Sequence, residues 1–139
     1  MGRIAVKSKR GLYQATGRRK TAIARVFLKS NGSGKFIING KAPDKHLGNV
    51  DDFLNLIKKP LQVISGESKY DVFANVEGGG LSGQADAIRL GIARALVKQS
   101  ESNKQKLKDQ GLLTRDPRDK ERKKYGRKRA RKRFQYSKR

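Results

Sequence analysis

Tyr70-Asp71-Val72-Phe73-Ala74-Asn75-Val76-Glu77-Gly78-Gly79-Gly80-Leu81-Ser82-Gly83-Gln84-Ala85-Asp86-Ala87-Ile88-Arg89 passes from one periodicity into another. As far as Val76, the apolar residues Tyr70, Val72, Ala74 and Val76 alternate with Asp71, Phe73 and Asn75, the pattern of a strand with one face on a core. Beyond the glycines, Leu81, Ala85, Ile88, Ile92 and Ala95 or Leu96 recur every three or four residues and form a continuous helical stripe. Arg89, Arg94 and Lys98 fall off that stripe. Ser82 is the predicted N-cap, because its hydroxyl can accept from free amides of the first turn. A strand, a glycine turn and a long helix thus follow one another.

Working back towards the N-terminus, Leu61–Ile64 and Tyr70–Val76 are strand candidates on either side of the turn-like Ser65-Gly66-Glu67-Ser68. Val50, Phe53, Leu54 and Ile57 mark one face of a short helix over Val50–Lys58, which Pro60 is expected to end. Asp51 and Asp52 fall in its first turn, where carboxylates favour the helix dipole. Ala22–Leu28 and Lys35–Asn39 read as strands, and the glycines between them predict a hairpin. Turns follow at Asn39-Gly40-Lys41 and Pro43-Asp44. On the C-terminal side, Ser100–Gln110 reads as a short charged helix stopped by Gly111. Three segments result: a basic N-terminal extension (1–12), a globular domain (13–113) and an extended basic tail (114–139), too poor in apolar residues to fold alone.

Charge points to the partner. The chain has 139 residues, 35 Lys plus Arg against 12 Asp plus Glu, and a formal net charge of +23. Residues 1–20 hold 7 cations and no acid, and residues 122–139 hold 11 and no acid. A nearly balanced middle with acid-free ends is the pattern of a protein that folds on a small core and reaches into a polyanion. No apolar run approaches the roughly 20 residues of a membrane span, and no amphipathic or lipid anchor adjoins the basic ends. The basic start is not followed by a signal-peptide apolar stretch, so secretion is not expected. There is no cysteine, which removes disulfides, thiolate zinc sites and cysteine nucleophiles and accords with a reducing compartment.

Three motifs carry candidate binding residues. Gly78, Gly79, Gly80, Ser82 and Gly83 lie in a literal G-x-G-x-x-G between strand and helix, but no second strand ending in an acid follows, as a dinucleotide site requires. The loop is then either a turn that lets helix and sheet pack closely or a set of amides gripping an RNA phosphate. Arg18, Arg19 and Lys20 follow Gly17 without an obvious acid nearby, and arginine forks well onto phosphate oxygens. In the tail, Arg122, Lys123, Lys124, Arg127, Lys128, Arg129, Arg131, Lys132 and Arg133 are interleaved with Tyr125, Phe134 and Tyr136. Cations neutralise phosphates, and the rings offer stacking faces to unpaired bases. His46, the only histidine, reads as a surface residue without a second metal ligand. No catalytic set, metal site, cofactor or small-molecule substrate is expected.

Gly17-Arg18-Arg19-Lys20-Thr21-Ala22-Ile23-Ala24-Arg25-Val26, Val76 through Ala85, Ala87-Ile88-Arg89, and Thr114-Arg115-Asp116 through Glu121-Arg122-Lys123-Lys124 to Ser137-Lys138-Arg139 together resemble the bacterial-type small-subunit ribosomal protein nine family. The resemblance implies an α/β (α+β) domain, a four-stranded sheet carrying helices like the second domain of ribosomal protein five, with a left-handed βαβ crossover. It also implies a place in the head of the small subunit, in a cytoplasmic or organellar ribosome, among neighbouring ribosomal proteins. Small-subunit ribosomal RNA is the implied partner of the basic segments. Ser137, Lys138 and Arg139 are expected at the anticodon arm of the peptidyl-site transfer RNA. Residues Met1–Leu12 extend beyond the usual start of the family, and Asp86 stands where glycine is common. A nucleoid-type DNA binder would share the charge but should show a groove-reading element, and a small phosphotransferase would need a base and metal ligands. Neither pattern is present.

Overall fold

The structure, a computed structural model, describes residues 11–138. The first ten residues of the basic extension, and Arg139, lie outside the described residues. Four strands and four helices follow in the order β1 (Leu12–Arg19), β2 (Ala22–Ser30), β3 (Phe36–Ile38), α1 (Pro43–Leu47), α2 (Asp51–Val63), β4 (Tyr70–Glu77), α3 (Leu81–Gln99) and α4 (Asn103–Asp109). The strands form one mixed sheet in the order β1-β2-β4-β3. β1 and β4 flank β2 antiparallel, and β3 runs parallel to β4. The α/β class and the implied four-stranded sheet are present.

The expected β2–β3 hairpin is absent. β4 lies between the two strands, and Asp71 on β4 is the physical reason. Its buried carboxylate accepts from the Ser33 and Lys35 amides, each at 2.9 Å, while the Gly32 amide donates to the Lys69 carbonyl at 2.9 Å. These bonds carry the connection across the start of β4 and set β3 down on the far edge, with Phe36 opposite Val72. The Lys35 amide bond is the main cause holding the Asp71 carboxyl below the usual carboxylate range.

Leu61–Ile64 is not a strand, and Pro60 does not end α2. Pro60 lies inside the helix, fully buried. The helix forgoes one amide bond there and gains the burial of Leu61 against the core. It ends instead in a Schellman-type turn, with Ser65 at φ 55° and the Gly66 amide donating to the Leu61 carbonyl at 2.9 Å. Ser82 is not the N-cap of α3 either. Gly80 occupies that position in extended conformation without a side-chain cap.

α3 is the centre of the molecule. Its stripe residues Ala85, Ile88, Ile92, Ala95 and Leu96 are buried, and so are Ala87, Leu90, Gly91 and Ala93 between them, whereas Leu81 at the start of the stripe is exposed. The sheet meets it with Ala22, Ala24, Val26 and Leu28, all fully buried, whereas Ile23, Arg25 and Lys29 on the other face of β2 are exposed. Full burial of a residue such as Ile92 contributes about 2 kcal/mol.

β1 escaped the sequence reading, and its composition explains why. It meets α3 with Ala15 and Gly17, and Tyr13 on the same face is only partly buried, so it carries little apolar signal. A Cβ on Gly17 would lie 1.8 Å from the Ala87 carbonyl oxygen, and one on Gly91 would lie 2.5 Å from Val26 Cγ2. β1 is an edge strand whose outer carbonyls need partners. Arg94 Nη1 donates to the Thr16 carbonyl at 2.8 Å and Lys98 Nζ to the Gln14 carbonyl at 2.6 Å. The cations off the helical stripe thus close the edge. Among the described residues no helix is long and apolar enough to cross a membrane.

Gly17→Ala should lower the stability of the full chain by about 3 kcal/mol, the upper end for overpacking. The midpoint of urea denaturation measures it, and an unchanged midpoint would mean that α3 is not seated on β1.

Candidate nucleic-acid interface

Three segments distant in sequence meet at one end of the body: the β1–β2 turn, the glycine loop before α3, and the first residues of the tail. Lys20 turns the first of these at φ 51°. Gly78 and Gly79 shape the second at φ 74° and 65°, and a Cβ on them would meet the Thr21 carbonyl oxygen at 2.6 Å and the Ala22 Cβ at 3.0 Å. Close packing therefore accounts for Gly78 and Gly79. Gly80 has open space around it and no positive φ, so flexibility is not required there. Gly83 lies in the first turn of α3 over the Arg19 carbonyl, and Ser82 beside it is exposed.

His46 is half-buried on α1 rather than in a loop. Its Nε2 lies 2.8 Å from Gln84 Oε1, and Gln84 Nε2 donates to the Gly78 carbonyl at 3.1 Å. Because Gln84 uses its amide nitrogen on Gly78, its oxygen must accept, so His46 carries the proton on Nε2. The histidine thus braces the glycine loop through Gln84.

Arg18 and Lys20 are exposed, whereas Arg19 between them points into the body with 13% of its side chain accessible. Contrary to the sequence reading, acids are at hand. Arg19 Nε lies 3.3 Å from Asp86 Oδ2, and Nη2 lies 3.4 Å from Asp116 Oδ2. Arg19 Nη1 also donates to the Arg118 carbonyl. Asp86 is shared with the buried Arg89, whose Nε donates to it at 2.7 Å and whose Nη1 donates to the Leu112 carbonyl at 3.1 Å. With a guanidinium on either side, Asp86 adds no uncompensated negative charge beside the loop.

Residues 114–138 contain no helix or strand. Asp116 is held well below the usual carboxylate range, first by the Arg118 side chain, which donates to both its oxygens, and then by the Arg118 amide. Glu121 is shifted the same way by Lys124 and Arg131. No acid follows Glu121. Arg122, Lys123, Lys124, Lys128, Arg129, Arg131, Lys132 and Arg133 are exposed, and Arg127 is half-buried. Tyr125, Phe134 and Tyr136 are 103%, 65% and 88% exposed, so none packs on the core. Ser137 and Lys138 are exposed at the end of the described chain.

The sequence contained the tail in plain view but not the pairing around Arg19. Only Asp86 and Arg89, one helical turn apart, offered a local signal. Asp116 meets Arg19 through the tertiary fold alone.

Gly78→Ala should lower stability by about 2 kcal/mol through its left-handed φ and its contact with Thr21, whereas Gly80→Ala should cost under about 1 kcal/mol. Paired thermal melts of the two variants check this, and equal losses would contradict the packing account of the loop.

The family model for ribosomal protein S9/S16 matches residues 17–139. The chain is 56% identical over 136 residues to the small ribosomal subunit protein uS9 of Thermosynechococcus vestitus, covering 98% of both chains. It is 52% identical over 130 residues to that of Gloeothece citriformis, and 51% identical over 130 residues to that of Picosynechococcus, each time covering 94% of both chains. On this evidence the chain belongs to the ribosomal protein S9/S16 family.

Proposed function

We propose that the chain binds small-subunit ribosomal RNA in the head of the subunit through its basic ends, and that the tip of its tail contacts peptidyl-site transfer RNA. As a ribosomal protein of the small subunit it is a structural constituent of the ribosome and not an enzyme. Its partners in this reading are ribosomal RNA, transfer RNA and neighbouring ribosomal proteins of the head, in the cytoplasm.

The observation that carries the reading is the contrast between body and tail. In the body, Arg19, Arg89, Arg94 and Lys98 are spent on carboxylates and carbonyls. The tail presents exposed cations and exposed rings with no acid beyond Glu121. Uncompensated charge of this density favours a partner rich in phosphate. The rings supply base-stacking faces that a solubility tail has no use for. Arg18 and Lys20 extend the same basic surface onto the body. Lys138 and Arg139 suit transfer RNA because a backbone contact serves every transfer RNA alike.

Without RNA the far part of the tail buries no core and should be disordered. Binding of the isolated protein to small-subunit RNA should weaken steeply with salt. For about six neutralised phosphates the log-log slope lies between about −4 and −5, and a slope shallower than about −2 would make the arms bystanders. Deleting Ser137–Arg139 should weaken transfer RNA binding to purified subunits about tenfold, or 1.4 kcal/mol, with assembly intact because Arg122–Arg133 still anchor the tail. Filter binding of several transfer RNAs reads the effect, and equal affinity for intact and truncated subunits would remove the tip from the site.

A further inference from the structure

We infer that Arg19 is a positioning residue for the tail rather than a ligand for RNA: with Asp86, Arg89 and Asp116 it forms a clasp that fixes residues 112–118 on the body and sets the direction in which the tail leaves. The inference deepens the RNA-tail reading, and its first test is made in the free protein, so that the two can fail separately.

Two arginines and two carboxylates alternate along the clasp. Their side chains are 13% accessible for Arg19, 21% for Asp86, 9% for Arg89 and 26% for Asp116. Charges this shielded are screened by salt far less than surface pairs. One planar guanidinium can face two carboxylates at once, which an ammonium cannot do with the same geometry. Both arginines also bind backbone, Arg89 the Leu112 carbonyl and Arg19 the Arg118 carbonyl. The tail root is therefore held at its backbone as well as through the Asp116 carboxylate.

Asp86 is the shared anion. It sits in the first turns of α3, rigidly placed by the best-buried helix of the molecule, and its neighbour Arg89 is buried beside Leu112. Arg19 ends β1 next to the turn that presents Arg18 and Lys20. Tail root and basic turn thus share one rigid frame. The part of the tail free to range begins after Arg118, and the 20 residues from Asp119 to Lys138 reach at most about 66 Å. Fewer residues remain to be ordered when RNA is bound.

Double electron–electron resonance on the full chain tests the clasp. The protein has no cysteine of its own, so spin labels at Lys41→Cys and Arg115→Cys, both exposed sites, report the body-to-root distance. A single narrow distribution is expected in the parent, broadened at least about twofold by Arg19→Gln and by Asp116→Ala. Asp116 lies outside the core, so its variant still folds. A parent distribution as broad as the variants', or one that stays narrow in both variants, would overturn the proposal. The second measurement is the salt dependence of small-subunit RNA binding. Arg18→Gln should reduce the slope by about one and Arg19→Gln should leave it unchanged. Equal reductions would show that Arg19 holds a phosphate after all.

Discussion

The close approach of α3 to the edge of the sheet governs the remainder of the molecule. It requires Gly17 on the strand and Ala87 and Gly91 on the helix, since a side chain at Gly17 would overlap the helix backbone. Once the helix is seated, its N-terminus stands beside the β1–β2 turn, Asp86 comes within reach of Arg19, and Arg89 reaches the Leu112 carbonyl beyond α4. The same placement lets Arg94 and Lys98 close the edge of β1. An apolar packing constraint thereby decides the electrostatics at both ends of the helix.

Charge is divided by the fold into two populations. In the body Arg19, Arg89, Arg94 and Lys98 have partners, either a carboxylate or an edge carbonyl, and three acids are spent in the same way. Asp71 holds the β2–β3 connection, Asp86 joins two arginines, and Asp116 ties the tail root. Beyond Glu121 no acid remains, and the positive charge is left to a partner. A body whose inward-facing cations are paired can fold before it meets RNA, while the tail keeps its affinity for the partner that must neutralise it.

Elements with a strong period were legible in the sequence. β2, β4 and α3 stand close to where β-branched and aromatic content, alternation and the helical stripe respectively placed them. What escaped notice depended on distant residues. β1 is written in small residues whose value appears only against α3, and the β2–β3 hairpin is displaced by Asp71, whose role needs β4 to be present. Pro60 looked like a stop because local rules cannot see that continuing α2 buries Leu61. In the candidate interface, the basic tail and the exposed cations Arg18 and Lys20 could be read from composition. The inward turn of Arg19 could not, because its acids come from α3 and from the tail.

Amide hydrogen exchange of the full chain, compared between free protein and protein assembled into small subunits, tests most directly whether a body with paired inward-facing cations carries a tail that RNA orders. The account predicts slow exchange in α3 in both states, with new protection on assembly concentrated in residues 119–138 and in the Arg18–Thr21 turn. A tail already protected in the free protein, or new protection confined to the body, would contradict it.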